Sequence, residues 1–312
     1  MIKVENLTKY YGPTLAVDKV SFEVQRGEVV GLLGPNGAGK TTTMRMITCF
    51  LTPTSGEVSV AGNSIYDDSL EVRRHIGYLP ENCPLYPEMN VVDYLRYIAE
   101  LRQITPADRS QRIRQMIEVT GLEDVLHKDI GELSKGYRQR VGLAQTMIHD
   151  PEILILDEPT SGLDPNQIVE IRQLIKKIGR EKTIILSTHI LPEVSATCNR
   201  VLIINDARLV ASGTTDELVA GAQGGELVTA TLKGPEDEVF EGLRAAPFVT
   251  DFRKVKEEPA DGAKWLTLEI KSQDQQVGEK LFRLVVEKNW SLSELRLEKM
   301  SLEEVFARLT NA

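Results

Sequence analysis

The chain has 312 residues, enough for one large domain or two ordinary ones with a real core. Its 37 basic and 46 acidic residues leave a net charge of −9, with acid in excess on both sides of residue 225, which argues against nucleic acid as a partner. Three cysteines, Cys49, Cys83 and Cys198, are odd in number and far apart, so neither a disulfide framework nor a zinc site is expected, and a reducing cytosol suits them.

From the N-terminus, MIKVENLTKYYG lacks the apolar stretch of a signal peptide, and no apolar run approaches the roughly 20 residues of a membrane span. Any membrane contact is therefore expected to go through another chain. GEVVGLLGPNGAGKTTTMRMI reads as a strand, a glycine-rich turn and a helix. The segment 85–150 has helical periodicity and reads as a subdomain inserted into an α/β core. Within it, ELSKGYRQRV opens a helix on which Val141, Leu143, Ala144, Met147 and Ile148 recur at helical spacing until Asp150-Pro151. EILILDEP, TIILSTH and RVLIIND are short continuous apolar runs, as expected for strands buried on both faces of a parallel sheet. GAQGG, 221–225, reads as a linker. Beyond it the patterns run strand, helix, strand, strand, helix, strand, the split βαβ or ferredoxin-like order, and SLEEVFARLT closes the chain as a helix.

Two places suit phosphate. Gly34, Pro35, Asn36, Gly37, Ala38, Gly39, Lys40, Thr41 and Thr42 include the pattern G-x-x-x-x-G-K-[ST] between a strand and a helix. The glycines let backbone N–H groups wrap the phosphates, Lys40 reaches the β- and γ-phosphates, and Thr41 offers a hydroxyl to Mg²⁺. The second place is the helix start at Ser134 and Gly136, where free N–H groups and the helix dipole favour an anion. ILILDEP carries Asp157 to a strand end, where Asp157 would hold Mg²⁺ through water and Glu158 would take a proton from the attacking water.

These pieces, in this order, resemble the nucleotide-binding subunits of ABC transporters from about residue 2 to 220. The resemblance implies a P-loop (RecA-like) α/β core with antiparallel β and helical subdomains, with 226–312 as a small accessory α+β domain. It also implies a head-to-tail homodimer in which Ser134 and Gly136 of one copy meet the γ-phosphate held by Lys40 of the other. Tyr11 matches the residue that stacks on adenine, Asp164 the loop at the dimer interface, and His189 the histidine that contacts the γ-phosphate and orients water and Glu158. His75, His127 and His149 have no such context and read as surface or packing residues.

Two departures stand out. The family usually has glutamine where Glu81 stands, as a Mg²⁺ ligand and link to the membrane partner, and a carboxylate there adds charge beside Asp157, Glu158 and the triphosphate. LSKGYRQR has Lys135 and Tyr137 where the common motif has glycine and glutamine; Lys135 either attracts the opposite γ-phosphate or is a solvated helix-start lysine. The finer resemblance, to multidrug, antibiotic-resistance and gliding-motility ATP-binding subunits, implies an exporter. ATP, Mg²⁺, a separate multi-span permease and a peripheral place on the cytoplasmic face of the plasma membrane go with it. Rival readings are a soluble ABC ATPase without a membrane partner and an ATP-binding regulatory module that does not hydrolyse. A GTPase is disfavoured, since no N-K-x-D is present to read guanine.

Overall fold

The computed structural model describes residues 1–222, 226–260, 263–274, 276–298 and 301–310. It divides into two units, Met1–Thr215 with Arg308–Ala312, and Asp216–Ala307. The division falls at Thr215/Asp216. The linker expected at 221–225 starts inside a helix, because Gly221 and Ala222 continue the turns begun at Thr215, and 223–225 lie outside the described residues.

The first unit opens with β1 (Ile2–Tyr11), β2 (Thr14–Val24), β3 (Val29–Leu33), α1 (Lys40–Ile47), β4 (Ser55–Val60), β5 (Asn63–Ser64), α2 (Ser69–His75) and β6 (Ile76–Leu79). Next come the helices α3 (Val91–Leu101), α4 (Pro106–Thr120) and α5 (Lys135–Met147). It continues with β7 (Ile153–Asp157), α6 (Pro165–Ile178), β8 (Thr183–Thr188), α7 (Leu191–Thr197), β9 (Arg200–Asn205) and β10 (Arg208–Gly213), and α8 (Thr215–Ala222) begins at its boundary. One sheet is antiparallel, in the order β2-β1-β4-β5; the other runs β10-β9-β3-β8-β7-β6 and is parallel except for β10.

The middles of the parallel strands are apolar because both their faces are covered, with polar residues such as Thr183, Asp157, Ser187 and Thr188 at their ends. Val30, Leu32, Ile153, Ile155, Ile185 and Leu202 point to one layer, with Ile2, Val4 and Met44. Their neighbours Leu154, Leu156, Ile184 and Leu186 point to the other, with Val141, Leu143, Met147 and Ile175. That alternation is the period of two of a pleated strand, and each such side chain contributes roughly 1.5–3 kcal/mol on burial. The helical face read from Val141 to Ile148 is the buried one. With the sheet fixed on both sides, β3, β7 and β8 bring their C-terminal ends to a common edge.

At the far end of α5, His149 Nε2 lies 3.1 Å from Ile76 O. Burial above all, then the charge of Arg102, pulls its imidazole down to about 4, against the bond to Ile76 O. An unfolded chain protonates this histidine near its ordinary value of about 6.5. The unfolded state thus binds more protons between those values, and stability falls as pH drops through them. We expect this residue to cost the wild type roughly 2–3 kcal/mol between pH 6.5 and 4. Chemical denaturation across that range should show a flatter dependence for His149→Gln; parallel curves would contradict the assignment.

The second unit holds β11 (Glu226–Gly234), α9 (Glu236–Ala245), β12 (Asp251–Ala260), β13 (Ala263–Ser272), α10 (Val277–Glu287) and β14 (Ser291–Glu298). Its sheet is antiparallel, in the order β12-β13-β11-β14, which with the two helices is the split βαβ arrangement. Val228, Ala230, Leu232, Leu266, Leu268 and Ile270 alternate along the central strands and meet Val239, Leu243, Leu281 and Trp290 in a separate core. α11 (Leu302–Thr310) ends the described chain, its last residues grouping with the first unit.

Candidate active site

The turn from β3 into α1 builds the floor of the site. Gly39 precedes α1 with φ 107°, and a Cβ there would lie 2.5 Å from Ala16 O, so no other residue lets the loop lie this close to β2. Lys40 is buried, and its Nζ donates to Gly34 O at 2.8 Å and Pro35 O at 3.2 Å. Glu158 Oε1 stands 3.6 Å from the same ammonium.

β7 and β8 supply the acids and their supports. Asp157 ends β7, and its Oδ1 accepts from Thr41 Oγ1 at 3.1 Å and from Ser187 Oγ at 2.6 Å. Ser187 Oγ also accepts from Glu158 N at 2.9 Å. That bond holds Glu158 at φ 47°, a left-handed conformation uncommon for this residue type and found where surrounding structure imposes it. His189 Nδ1 lies 2.9 Å from Glu158 Oε2, so an Nδ1 proton would be donated to the carboxylate. Asp157 Oδ2 is buried and has no partner among the described residues.

A cavity of about 420 Å³ opens here, lined by Asn36, Gly37, Gly39, Lys40, Thr41, Thr42, Glu81, Glu158 and His189, together with Ala16 and Ser161. Gly34, Pro35, Ala38 and Asp157 are not part of this lining, although the Gly34 and Pro35 carbonyls hold Lys40 and Asp157 holds Thr41. A larger groove of about 790 Å³ beside β4, lined by Lys3, Glu5, Glu57 and Tyr66 among others, has no phosphate loop. Sequence reasoning missed Ala16, Ser161 and Ser187. Alanine carries no chemical signal, and Ser187, which acts through bonds to Asp157 and Glu158, 30 and 29 residues away, leaves no spacing to read.

The remaining expected residues lie outside this lining. Tyr11, at the end of β1, is 46% exposed, with Lys9 Nζ 5.6 Å from its ring centroid. Ser134 is exposed and caps α5, its Oγ accepting from Tyr137 N at 3.4 Å. Asp164 caps α6, its Oδ1 accepting from Asn166 N and Gln167 N at 3.0 Å each. The starts of α5 and α6 are neighbours, since a Cβ on Gly136 would lie 2.7 Å from Gln167 Cδ. Lys135 turns its Nζ onto Gly162 of its own chain, where a φ of 66° favours glycine. Tyr137 packs half-buried against the helical core.

The chain is similar to known proteins in the same terms. A family model described as ABC transporter matches residues 17–161. The chain is 33% identical to the uncharacterized ABC transporter ATP-binding protein YxlF of Bacillus subtilis (strain 168), over 100% of both chains. It is 29% identical to the linearmycin resistance ATP-binding protein LnrL of the same organism, over 99% of this chain and 98% of that one. Among solved structures, the dimeric ATP-binding cassette MJ0796 in a post-hydrolysis state with ADP and Pi matches with a TM-score of 0.63 and 26% identity. That match covers 69% of this chain and 98% of that one. With 33% identity to an ABC transporter ATP-binding protein over the full length of both chains, and with the phosphate loop, the carboxylate pair and the histidine bonded to Glu158 in one place, the chain belongs to the ABC transporter family as an ATP-binding, ATP-hydrolysing protein.

Proposed function

We propose that this chain is the ATPase subunit of a membrane exporter, working as a head-to-tail pair of copies beside a separate multi-span permease. The observation that carries the hydrolytic part is the Glu158–His189 pair at 2.9 Å, beside Lys40 in one cavity. A module that only held ATP would need neither group. Lys40 and the loop from Gly34 to Thr42 bind the triphosphate, and Glu158 accepts a proton from the attacking water while His189 orients both. Tyr11 offers its ring to adenine. Ser134, Gly136 and Asp164 face the second copy, a role that suits the exposure of Ser134 and the shared surface of the α5 and α6 starts.

Mg²⁺ fits the donor set. Asp157 has an unpartnered buried oxygen next to the Thr41 hydroxyl, and Glu81 lines the same cavity. Mg²⁺ takes one or two protein carboxylates and completes its shell with phosphates and water, and when bound it neutralises charge on the transferred phosphoryl group. No helix of the described residues is long and apolar enough to cross a membrane. In the proposed assembly the permease carries the membrane contact and this chain sits on its cytoplasmic face. The linearmycin resistance relative supports export over a soluble ABC ATPase.

The test is ATP- and Mg²⁺-dependent phosphate release by the purified chain, and its stimulation by the co-purified permease. No phosphate release under any of these conditions would overturn the reading. Glu81→Gln refines it. Removing one negative charge near the ion should raise the Mg²⁺ concentration for half-maximal ATPase about three- to tenfold. Superimposable Mg²⁺ curves for Glu81→Gln and the wild type, with and without the permease, would mean that Glu81 takes no part in holding the ion.

A further inference from the structure

Two strand ends of the site are tied together by a residue that none of the nucleotide motifs contains. Glu193, in α7, is 4% exposed. Its Oε2 accepts from Thr160 Oγ1 and from Thr188 Oγ1, both at 2.8 Å. Thr188 Oγ1 in turn accepts from Ile190 N at 3.0 Å, closing the turn that carries His189. Glu193 Oε1 is buried too and has no hydrogen-bond partner among the described residues. Leaving a carboxylate oxygen dry and unpaired is costly, and apolar side chains often fill such a position without loss. Packing alone therefore gives no reason for an acid here.

The positions of its two partners do. Thr160 stands two residues after Glu158, and Thr188 one residue before His189. Both threonines are buried. The turn after Glu158 is held by Ser161 N to Glu158 O at 3.0 Å and Leu163 N to Thr160 O at 3.2 Å, and it carries Ser161 into the cavity. Glu158 itself sits in a left-handed conformation that its surroundings must enforce. A single acceptor that grips both flanking threonines fixes the β7 loop against the β8 loop, which is the separation that sets the Glu158–His189 contact.

We propose that Glu193 is a positioning residue for hydrolysis, holding the Glu158 and His189 loops in register through Thr160 and Thr188. The proposal rests on the assignment of Glu158 and His189 to the attacking water. It makes the chemical step, rather than nucleotide binding, the thing Glu193 controls, because both threonine hydroxyls bond to Glu193 and neither bonds to the phosphate loop among the described residues. Charge-assisted bonds of this kind are stronger than neutral ones, and displacement of a base by about 1 Å can cost 100-fold in rate.

The experiment measures kcat and KM for MgATP, with ATP binding and thermal midpoint as checks on folding, in the full chain and in Glu193→Ala, Glu193→Gln, Thr160→Val and Thr188→Val. Glu193→Ala should lower kcat about 10- to 100-fold while KM stays within about threefold. Glu193→Gln keeps an oxygen that accepts both hydroxyls and should recover most of that loss. Each valine variant should lower kcat several-fold and add little on top of Glu193→Ala, since all three remove one shared contact. Unchanged kcat in Glu193→Ala, an effect confined to KM, or a glutamine variant as slow as alanine would overturn the proposal. If Glu193→Ala does not fold, the near-isosteric valine variants decide, and wild-type kcat in both overturns it. Glu158→Gln is assayed alongside: turnover in that variant sinks the active-site reading itself, whereas an inactive Glu158→Gln with a fully active Glu193→Ala sinks only this proposal.

Discussion

Glu158→Gln should bind MgATP about as well as the wild type and hydrolyse it roughly 100- to 10,000-fold more slowly, the span that a general base supplies. The amide has the shape of the carboxylate and can still meet His189 Nδ1, which lies 2.9 Å from Glu158 Oε2. It cannot take a proton from water. Lys40 loses its ion pair at 3.6 Å but keeps the carbonyls of Gly34 and Pro35, so the phosphate loop stays formed. Phosphate release and ATP binding measured on the same preparation separate the two effects. The variant should also accumulate as ATP-bound pairs on size exclusion, because closure no longer ends in hydrolysis. Near wild-type release would remove Glu158 from its role.

Much of this site was legible before the fold. Lys40 and Thr41 open α1 after the glycine-rich turn, and Asp157, Glu158 and His189 sit at the ends of β7 and β8, so the turn and the apolar runs are local signals. The βαββαβ tail was legible for a similar reason: Val228, Ala230 and Leu232 alternate, while Val277, Leu281 and Val285 recur at helical spacing, and both sets are buried. What escaped depends on contacts between residues far apart in the chain. Ser187 reaches Asp157 and the Glu158 amide from the adjacent strand, 30 and 29 residues away in sequence, and Glu193 reaches Thr160 from 33 residues away. Serine and threonine are too common for such links to show as a pattern. The direction of Lys135 was also open, since a long side chain at a helix start is placed by its neighbours. Here Gly162 offers a bare backbone on which the ammonium rests, so the lysine joins the α5 start to the turn before α6 within one chain.

The largest claim is that the site is completed by a second copy. Ser134 is exposed at the start of α5 and lines no part of its own chain's cavity among the described residues, so the place proposed for it opposite a γ-phosphate requires another chain. Ser134→Arg fills that helix start with a long side chain and loses a cap, which costs about 1 kcal/mol and leaves the buried face from Val141 to Met147 intact. Lys40→Ala removes the phosphate-binding ammonium. Chains with either change alone should lose nearly all hydrolysis, since every pair they form has two broken sites.

A mixed pair is different, because Lys40 of the Ser134→Arg copy then faces Ser134 of the Lys40→Ala copy. Co-expression with two distinct affinity tags and sequential capture isolates that pair. The measurement is its rate of phosphate release from MgATP beside the two uniform mutants and the wild type. A head-to-tail arrangement with one intact composite site out of two predicts recovery to as much as about half of the wild-type rate. A mixed pair no faster than either uniform mutant would contradict the shared site.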